Sequence, residues 1–166
     1  MSTDMNDADA VRDRLWKEID DDNGTVMLGA HTHPMQHFQP MTAFCEPDEG
    51  KVWFFTRADT DLARSIAEGK GAMMVVQRTR FQACVAGELT LQHDVDRIEK
   101  YWNPVVAAWY PEGKADPRLT LLCLDVSDAQ VWLNEAGPVK FAWEIAKANA
   151  TGSTPDVGGS RRVDLH

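Results

Sequence analysis

The clearest structural signal in this chain is the stretch FQACVAGELTLQ at residues 81–92. Its positions alternate between an apolar side and a more polar side. The apolar side carries Phe81, Ala83, Val85, Leu89 and Leu91. The other side carries Gln82, Cys84, Glu88, Thr90 and Gln92. A period of two residues is typical of a strand with one face in the core and the other at the surface, as in antiparallel sheets. The stretch therefore predicts a half-buried antiparallel strand.

Other strands are predicted on both sides of this one. Apolar runs at 41–45 and 52–56 flank the turn-forming residues 46–50, which predicts a hairpin. Further strands are predicted at residues 72–76, 119–126 and 130–133. Because most of the links between strands are too short for a parallel crossover, we expect a mainly antiparallel sheet that forms a small, nearly closed barrel with helices outside it.

Helical patterns precede, separate and follow the strands. The first is amphipathic, with Val11, Leu15 and Ile19 on its apolar side. The others are a short helix capped by Asp59 or Thr60, a helix that is capped by Asp94 and kinked or divided by Pro104, and a last helix that opens at Pro138 and ends before Gly152.

The length and charge of the chain limit the number of domains and the kinds of partner that it can have. Its 166 residues suit one domain. We expect this domain to span residues 11–150, after a disordered acidic start at 1–10 and before an extended tail at 151–166. The formal net charge of −9 repels phosphate backbones and anionic lipid headgroups. We therefore expect neither a nucleic-acid partner nor a membrane partner.

The location in the cell is predicted from the same composition. The chain has no apolar run of the ~18–20 residues that span a bilayer, and its start is acidic where a targeting peptide carries basic residues. Cys45, Cys84 and Cys123 are odd in number and widely spaced, which argues against a disulfide framework and against a zinc site of known spacing. These features predict a cytoplasmic protein.

Two sets of side chains are candidates for chemistry without a cofactor. His31, His33 and His37 have a spacing found among metal ligands, but no nearby carboxylate or cysteine completes the set, so we favour ordinary polar histidines and no metal. Cys84 and His93 are candidates for a nucleophilic pair, although a small buried hydrophobic residue is the favoured interpretation of this cysteine. No glycine-rich phosphate loop of known spacing is present in the sequence.

Three segments of the chain together resemble one family, the general stress proteins among the flavin-binding split barrels related to pyridoxamine 5'-phosphate oxidase. The segments are QPMTAF at 39–44 with VWFFTRADT at 52–60, CVAGELTLQHDVDRIEKYWNP at 84–104, and WYPEGKADPRLTLLCLDVSDAQVWL at 109–133. The resemblance extends from about residue 11 to residue 148. It is most specific in WYPEGKADP, where Trp, Tyr, Gly, Asp and Pro recur in the order typical of the family.

This resemblance implies a fold and a cofactor. The fold is a mainly β, six-stranded antiparallel split barrel with flanking helices, which forms a homodimer and holds FMN, a small aromatic cofactor, in a groove shared by the two chains. The residues that the resemblance implies for cofactor binding lie on two strands and at the start of the short helix: Gln39, Pro40, Met41, Thr42, Trp53, Phe54, Phe55, Thr56, Thr60 and Leu62. The FMN phosphate is expected near Thr60, where the free N–H groups of a helix start favour an anion.

Two of these positions depart from the family pattern. Relatives that bind flavin carry Arg where this chain has Gln39, and Lys where it has Leu62. Because one charge-assisted hydrogen bond is worth ~1.5–3 kcal/mol, the loss of both lowers the expected FMN affinity by about a hundredfold to ten-thousandfold. Arg57 and Arg64 are close in sequence and are candidates to replace the missing charges, and another flavin is an alternative cofactor.

Two functions remain open from the sequence. The first is a flavin-binding protein of the general stress type with a weakened phosphate site, which either has no activity or is a weak flavin-dependent oxidoreductase. The alternative is a non-enzymatic split-barrel protein that binds another aromatic ligand or a partner chain without tight flavin. The sequence assigns a catalytic role to no residue.

Overall fold

One antiparallel sheet organises the protein, whose computed structural model describes residues 3–32, 34, 36–66, 69–134 and 136–166. The strands are β1 (Thr25–Ala30), β2 (Gln39–Thr42), β3 (Phe44–Glu46), β4 (Lys51–Arg57), β5 (Lys70–Gln77), β6 (Phe81–Gln92), β7 (Leu119–Leu133) and β8 (Gly159–Asp164). Across the sheet they follow the order β2-β1-β5-β6-β7-β4-β3, and β8 pairs with β7. The predicted antiparallel split barrel is confirmed, but with eight strands instead of six.

The strand β7 is continuous where the sequence predicted two strands. Ala86 of β6 pairs with Asp128, and the next residue, Gly87, pairs with Val126, so Ser127 has no partner in this ladder. The Ser127 hydroxyl donates a hydrogen bond of 3.1 Å to the carbonyl oxygen of Ala86. The break in the apolar pattern therefore marks a β-bulge within one strand instead of the end of a strand.

The C-terminal stretch contains a strand that the sequence analysis did not predict. In GSRRVD, the sequence of β8, only Val163 is buried, so the apolar alternation of a core strand is absent. The segment is extended because it pairs with β7 along its whole length. Arg12 fixes its end, since the guanidinium donates hydrogen bonds of 3.2 and 3.1 Å to the carbonyl oxygen of Asp164.

Helices cover parts of the sheet: α1 (Ala8–Asp20), α2 (Asp61–Ser65), α3 (Val95–Tyr101), α4 (Pro104–Ala107) and α5 (Pro138–Thr151). The first helix begins inside the stretch 1–10 that we expected to be disordered, because the Asp7 carboxylate caps its first turn. As predicted, Pro104 divides the helical stretch after β6. Asn103 caps the new helix, with Oδ1 accepting from the N–H groups of Val105 and Val106 at 2.9 and 3.0 Å.

The last helix, α5, lies in the segment that connects β7 to β8 outside the sheet. Leu133 ends β7 and pairs with Gly159, the first residue of β8. The segment 134–158 therefore leaves and rejoins the sheet at one place. Within α5 only Glu144 is buried, and its carboxylate accepts a hydrogen bond of 3.1 Å from the N–H of Asp156 in the returning chain.

Two hydrophobic cores lie on opposite faces of the sheet. The larger core fills the barrel under α1 and includes Val52 and Phe54 of β4. The smaller core lies between the sheet and the helices α3 and α4, and it includes Trp53 of β4. Neighbouring side chains along a strand point to opposite faces. Because both faces of β4 are covered, its sequence reads as a continuous apolar run instead of an alternating one.

The barrel opens where the chain passes from β2 to β3. Only Ala43 separates β2 from β3, yet β2 pairs with β1, whereas β3 pairs with β4, with Phe44 opposite Trp53. If this register continued, Thr42 would pair with Phe55, but β2 and β4 form no ladder. The two strands lie side by side without hydrogen-bonded pairing. The gap between β2 and the second half of β4 is called the split below.

Candidate functional site

The split brings together the elements that the sequence assigned to cofactor binding. Residues 39–42 of β2 form one wall, and residues 54–56 of β4 form the other, whereas Trp53 is paired with Phe44 of β3. The helix α2 begins at one end of the split. There the side-chain amide of Gln36 donates to the carbonyl oxygen of Asp61 at 3.4 Å, which ties the chain before β2 to the first turn of α2.

The backbone of β2 offers unused hydrogen-bonding groups. This strand is at the edge of the sheet and pairs only with β1. An unpaired strand edge presents a row of N–H and C=O groups to whatever approaches it. Pro40 has no N–H, so it contributes only its carbonyl oxygen. The wall therefore suits a flat heteroaromatic ligand that has donors and acceptors around its rim.

The side chains of β4 differ in their access to the split. Trp53 and Phe54 are only 2% and 0% exposed, and their rings belong to the two cores. Phe55 is half-buried and packs edge-on against Phe44, with the ring centroids 5.6 Å apart. Thr56 is buried. A ligand in the split would therefore not meet the rings of Trp53 and Phe54. The backbone of Trp53 is also covered, because Trp53 pairs with Phe44 on one side and with Cys123 on the other.

Thr60 caps α2, as the sequence predicted. Its Oγ1 accepts a hydrogen bond of 3.2 Å from the N–H of Ala63 and donates one of 2.9 Å to the carbonyl oxygen of Arg57. The hydroxyl of Thr56 lies 3.4 Å from it. Since a hydroxyl has a single proton to donate, Thr60 can offer a ligand only an acceptor.

The two positions at which the resemblance implies cations, Gln39 and Leu62, lie in different surroundings. Leu62 is 3% exposed and packs into the barrel core with Ile66. A lysine in its place would bring an ammonium group into apolar surroundings, which is costly. Gln39 is half-buried on the edge strand, and its side-chain amide has no hydrogen-bond partner among the described residues.

The two candidate replacement cations are both paired with neighbouring carboxylates. Arg57 donates two hydrogen bonds, of 2.9 and 2.6 Å, to the carboxylate of Asp59. Arg64 donates one of 2.7 Å to Asp61. The hydrogen bonds from Arg57 lower the pKa of Asp59 below its ordinary value. The charge of Arg57 is therefore neutralised by Asp59, two positions later, and that of Arg64 by Asp61, three positions earlier.

A third arginine, which the sequence analysis missed, lies at the same end of the split. The carbonyl oxygen of Arg118 accepts a hydrogen bond of 2.8 Å from the N–H of Ala58, directly after β4. Its guanidinium donates at 3.0 and 2.9 Å to Asp116, whose carboxylate also accepts from the Arg118 N–H. These hydrogen bonds lower the pKa of Asp116 to about 2. The signal in the sequence was an acid and a base on either side of Pro117.

A fourth carboxylate, at the other end of β4, has a different role. Glu46 is buried and accepts hydrogen bonds from four side chains, Trp53 at 2.9 Å, Arg97 at 3.1 Å, Lys100 at 3.0 Å and Tyr101 at 2.8 Å. Burial alone would raise the pKa of Glu46, but these four hydrogen bonds together lower it to about 2. This carboxylate joins the hairpin β3–β4 to α3.

The other candidates from the sequence form no site in the described chain. His33 lies outside the described residues, and no group of three His, Cys, Asp or Glu side chains in the described ranges is placed to hold a metal. Cys84 is in the middle of β6, and His93 directly follows that strand. About 30 Å of extended chain separates them, so they do not form a pair.

Two open clefts lie away from the split. One of about 660 Å³ lies near the end of α1, between Asp21 and Arg78. Another of about 610 Å³ lies on the outer face of the sheet and includes Lys51, Glu88 and Cys123. Neither cleft includes a residue that the sequence assigned to cofactor binding.

Comparison with protein families decides the assignment. The model of the family described as pyridoxamine 5'-phosphate oxidase like matches residues 9–156. The chain belongs to this family. The resemblance predicted from the sequence is therefore confirmed, and the matched range contains both walls of the split. No curated protein matches the chain closely enough to be counted as a relative.

Solved structures of family members agree with this assignment. A protein described as a general stress protein 26 from Jannaschia sp. CCS1 is 30% identical, with 93% of this chain and 98% of that chain covered and a TM-score of 0.75. The general stress FMN/FAD binding protein from Xanthomonas citri is 38% identical, with 78% and 92% covered and a TM-score of 0.71. A general stress family protein from Xanthomonas campestris pv. campestris has the same identity and TM-score, with 79% and 92% covered.

No helix in the described part of the chain combines the length and the apolar character that crossing a membrane needs.

Proposed function

We propose that this family member binds a flavin in the split between β2 and β4. The observation that carries the proposal is the open edge of β2 beside β4, which leaves backbone groups of residues 39–42 available to a flat ring. A relative with 38% identity is a general stress FMN/FAD binding protein, which supports the same ligand class here. The phosphate end is weakened in this chain because Gln39 carries no charge and Leu62 lies in the core.

The proposed unit is a homodimer in the cytoplasm. The resemblance to the family implies a groove shared by two chains, and a second copy would complete it. The chain also exposes large apolar side chains, among them Trp109 at 74% and Trp143 at 67%, and exposed apolar patches commonly mark protein interfaces. The cysteines are free thiols in the structure, in keeping with a reducing compartment.

The proposed activity is binding, with at most weak oxidoreductase activity. A bound flavin would supply the electron and hydride chemistry. The chain would supply orientation through the backbone of β2 and β4, and it would exclude water from one side of the ring. The arginines at this end of the split, Arg57, Arg64 and Arg118, are each in an ion pair, so none of them is assigned an acid–base role.

The visible absorption spectrum of protein purified without added cofactor tests the proposal. We expect flavin bands, or their appearance on titration with flavin. Thr42→Trp should weaken binding, because Thr42 is an exposed side chain of β2 at the split. Gln92→Trp, at an exposed position at the end of β6, is the matched control and should bind normally. Failure of the unmodified protein to bind any flavin would contradict the proposal.

The dimer is tested separately by sedimentation at micromolar concentration. We expect a species of twice the chain mass of 18.6 kDa. An interface of the size typical of obligate pairs, above ~2,000 Å², would keep the dimer intact on dilution. A single species of 18.6 kDa would contradict the shared groove while leaving flavin binding to be judged by the spectrum.

A further inference from the structure

The phosphate end of the split carries paired charges on Arg57, Arg64 and Arg118. Arg57 binds Asp59 through both oxygens of the carboxylate, in the two-pronged geometry that is strongest for this pair of groups. Arg64 and Arg118 bind Asp61 and Asp116 in the same region of the chain. Three guanidinium groups thus meet three carboxylates, and the formal charge of this cluster is zero.

These carboxylates stay near their arginines when a ligand arrives, because they are close in the chain. Asp59 is two positions from Arg57, and Asp116 is two positions from Arg118. If a phosphate displaced the Asp59 carboxylate from Arg57, both anions would remain close to each other, because the backbone between the two residues is short. Like charges at this distance repel. Attraction of a phosphate by Arg57 is therefore offset by repulsion from its own neighbour.

The remaining polar groups at this end are neutral. The single proton of the Thr60 hydroxyl is donated to the carbonyl oxygen of Arg57. The amide of Gln39 is both a donor and an acceptor, and it has no partner among the described residues. Leu62 lies in the core. A ligand hydroxyl can both donate to and accept from these groups, whereas a phosphate dianion can only accept.

We infer that the split accepts a flavin whose ribityl chain ends in a hydroxyl, so that FMN is preferred over riboflavin by less than about tenfold. The inference rests on the proposed flavin binding and adds the ligand class at the phosphate end. The residues that set this specificity are Gln39, which replaces a cation, and Asp59 and Asp61, which neutralise the two nearest arginines. The phosphate of FMN finds no unpaired arginine at this end among the described residues, whereas a site with free cations would bind it.

Parallel titrations of the flavin-free protein with riboflavin and with FMN test the inference, with quenching of flavin fluorescence as the readout. We expect FMN to be preferred by less than about tenfold, the factor that 1.4 kcal/mol provides. A preference for FMN of tenfold or more would overturn the inference and leave flavin binding standing. If neither flavin bound, flavin binding itself would be overturned, and the inference with it.

Two variants test the residues named. Gln39→Arg should shift the preference towards FMN by about tenfold, the effect of one charge-assisted contact, and leave riboflavin binding nearly unchanged. Asp59→Asn should shift it in the same direction because Arg57 loses its carboxylate partner. Both residues lie at the surface or on an edge strand, so the fold should be retained, and each variant tests the inference without the other.

A charge-matched control separates local from overall charge. Asp48→Asn removes the same negative charge from an exposed position in the turn between β3 and β4, at the far end of β4 from Arg57, about 20 Å away along the strand. It should leave the ratio of the two affinities unchanged. If Asp48→Asn shifted the ratio as much as Asp59→Asn does, or if neither site variant shifted it, the inference would be wrong.

Discussion

The two ends of β4 use carboxylates in opposite ways. At one end Glu46 accepts hydrogen bonds from Arg97, Lys100 and Tyr101, which are 51, 54 and 55 positions away in the chain. At the other end Asp59 binds Arg57, two positions away. The first carboxylate joins distant elements, whereas the second only neutralises its neighbour. The contrast shows that a buried carboxylate bound by a distant element joins parts of the fold, whereas an exposed carboxylate bound to its neighbour mainly sets the local charge.

The largest expected effect comes from breaking the long-range network. Glu46→Gln removes the negative charge that Arg97 and Lys100 share, and it turns an amide N–H₂ group towards other donors. We expect the free energy of unfolding to fall by about 3 kcal/mol, since the partners of a buried ion lose both charge and hydrogen bonds. Urea denaturation followed by tryptophan fluorescence measures this change.

Glu49→Gln is the matched control for this variant. Glu49 also binds Arg97, at 3.0 Å, but its side chain is 46% exposed. Exposed ion pairs contribute little, so its unfolding midpoint should stay close to that of the unmodified protein. Equal losses in the two variants would show that burial of Glu46 is not what makes the network stabilising.

Acid should remove the same stabilisation gradually. The pKa of Glu46 is lowered from an ordinary value of 4.5 to about 2 in the folded protein. The unfolded chain therefore takes up this proton first as the pH falls, so the contribution is complete above pH 4.5 and is lost towards pH 2. We expect about 2 kcal/mol of this contribution to be lost by pH 3. Glu46→Gln should lack this component of the pH dependence, and identical pH profiles would contradict it.

An intermediate effect on stability is expected from the pair Asp116–Arg118, whose members are close in sequence and whose carboxylate is buried. The Asp116 side chain is completely buried, yet among the described residues all its side-chain hydrogen bonds come from Arg118. Asp116→Ala should lower the melting temperature less than Glu46→Gln does, because no second element is released, and flavin binding should be affected less than folding. A melting temperature equal to that of the unmodified protein would show that this turn does not depend on the carboxylate.

The smallest effect on stability is expected for Asp59→Asn. Both side chains of the Arg57–Asp59 pair are nearly half exposed, and pairs of this kind contribute little to folding. The melting temperature should remain within experimental error, while the preference between FMN and riboflavin changes. A large drop in melting temperature would mean that the local pair has a structural role after all.

The sequence predicted the fold better than its details. The alternation in β6 and the helical spacing in α1 depend on the contrast between core and solvent, so they were readable from single segments. The strand β8 was not, because its extended form depends on pairing with β7 and not on its own residues. The bulge at Ser127 was misinterpreted as a strand end for the same reason, since it is defined by the partner strand.

The candidate site was predictable as a place but not in its electrostatics. The resemblance named residues of β2 and β4, which lie on either side of the split, and it identified Gln39 and Leu62 as departures. The capping pattern named Asp59 or Thr60, and Thr60 is the cap. The four-residue spacing of Leu62 and Ile66 predicted a buried pair in the short helix, and both side chains are buried in the structure. The pairing of Arg57 depends on side-chain direction at a strand end, and Arg118 comes from a segment 61 positions later in the sequence.

The segment 134–158, which carries α5, has a consequence for chain entropy. Its ends are held together because Leu133 pairs with Gly159, so ordering the β7–β8 pair requires closing a loop of about 25 residues. Replacing it with a turn of about five residues would lower the entropic cost of closure by about 1.4 kcal/mol. Only Glu144 of α5 is buried, so little packing would be lost in exchange. The barrel can therefore tolerate large changes of length at this position without a change in the register of its strands.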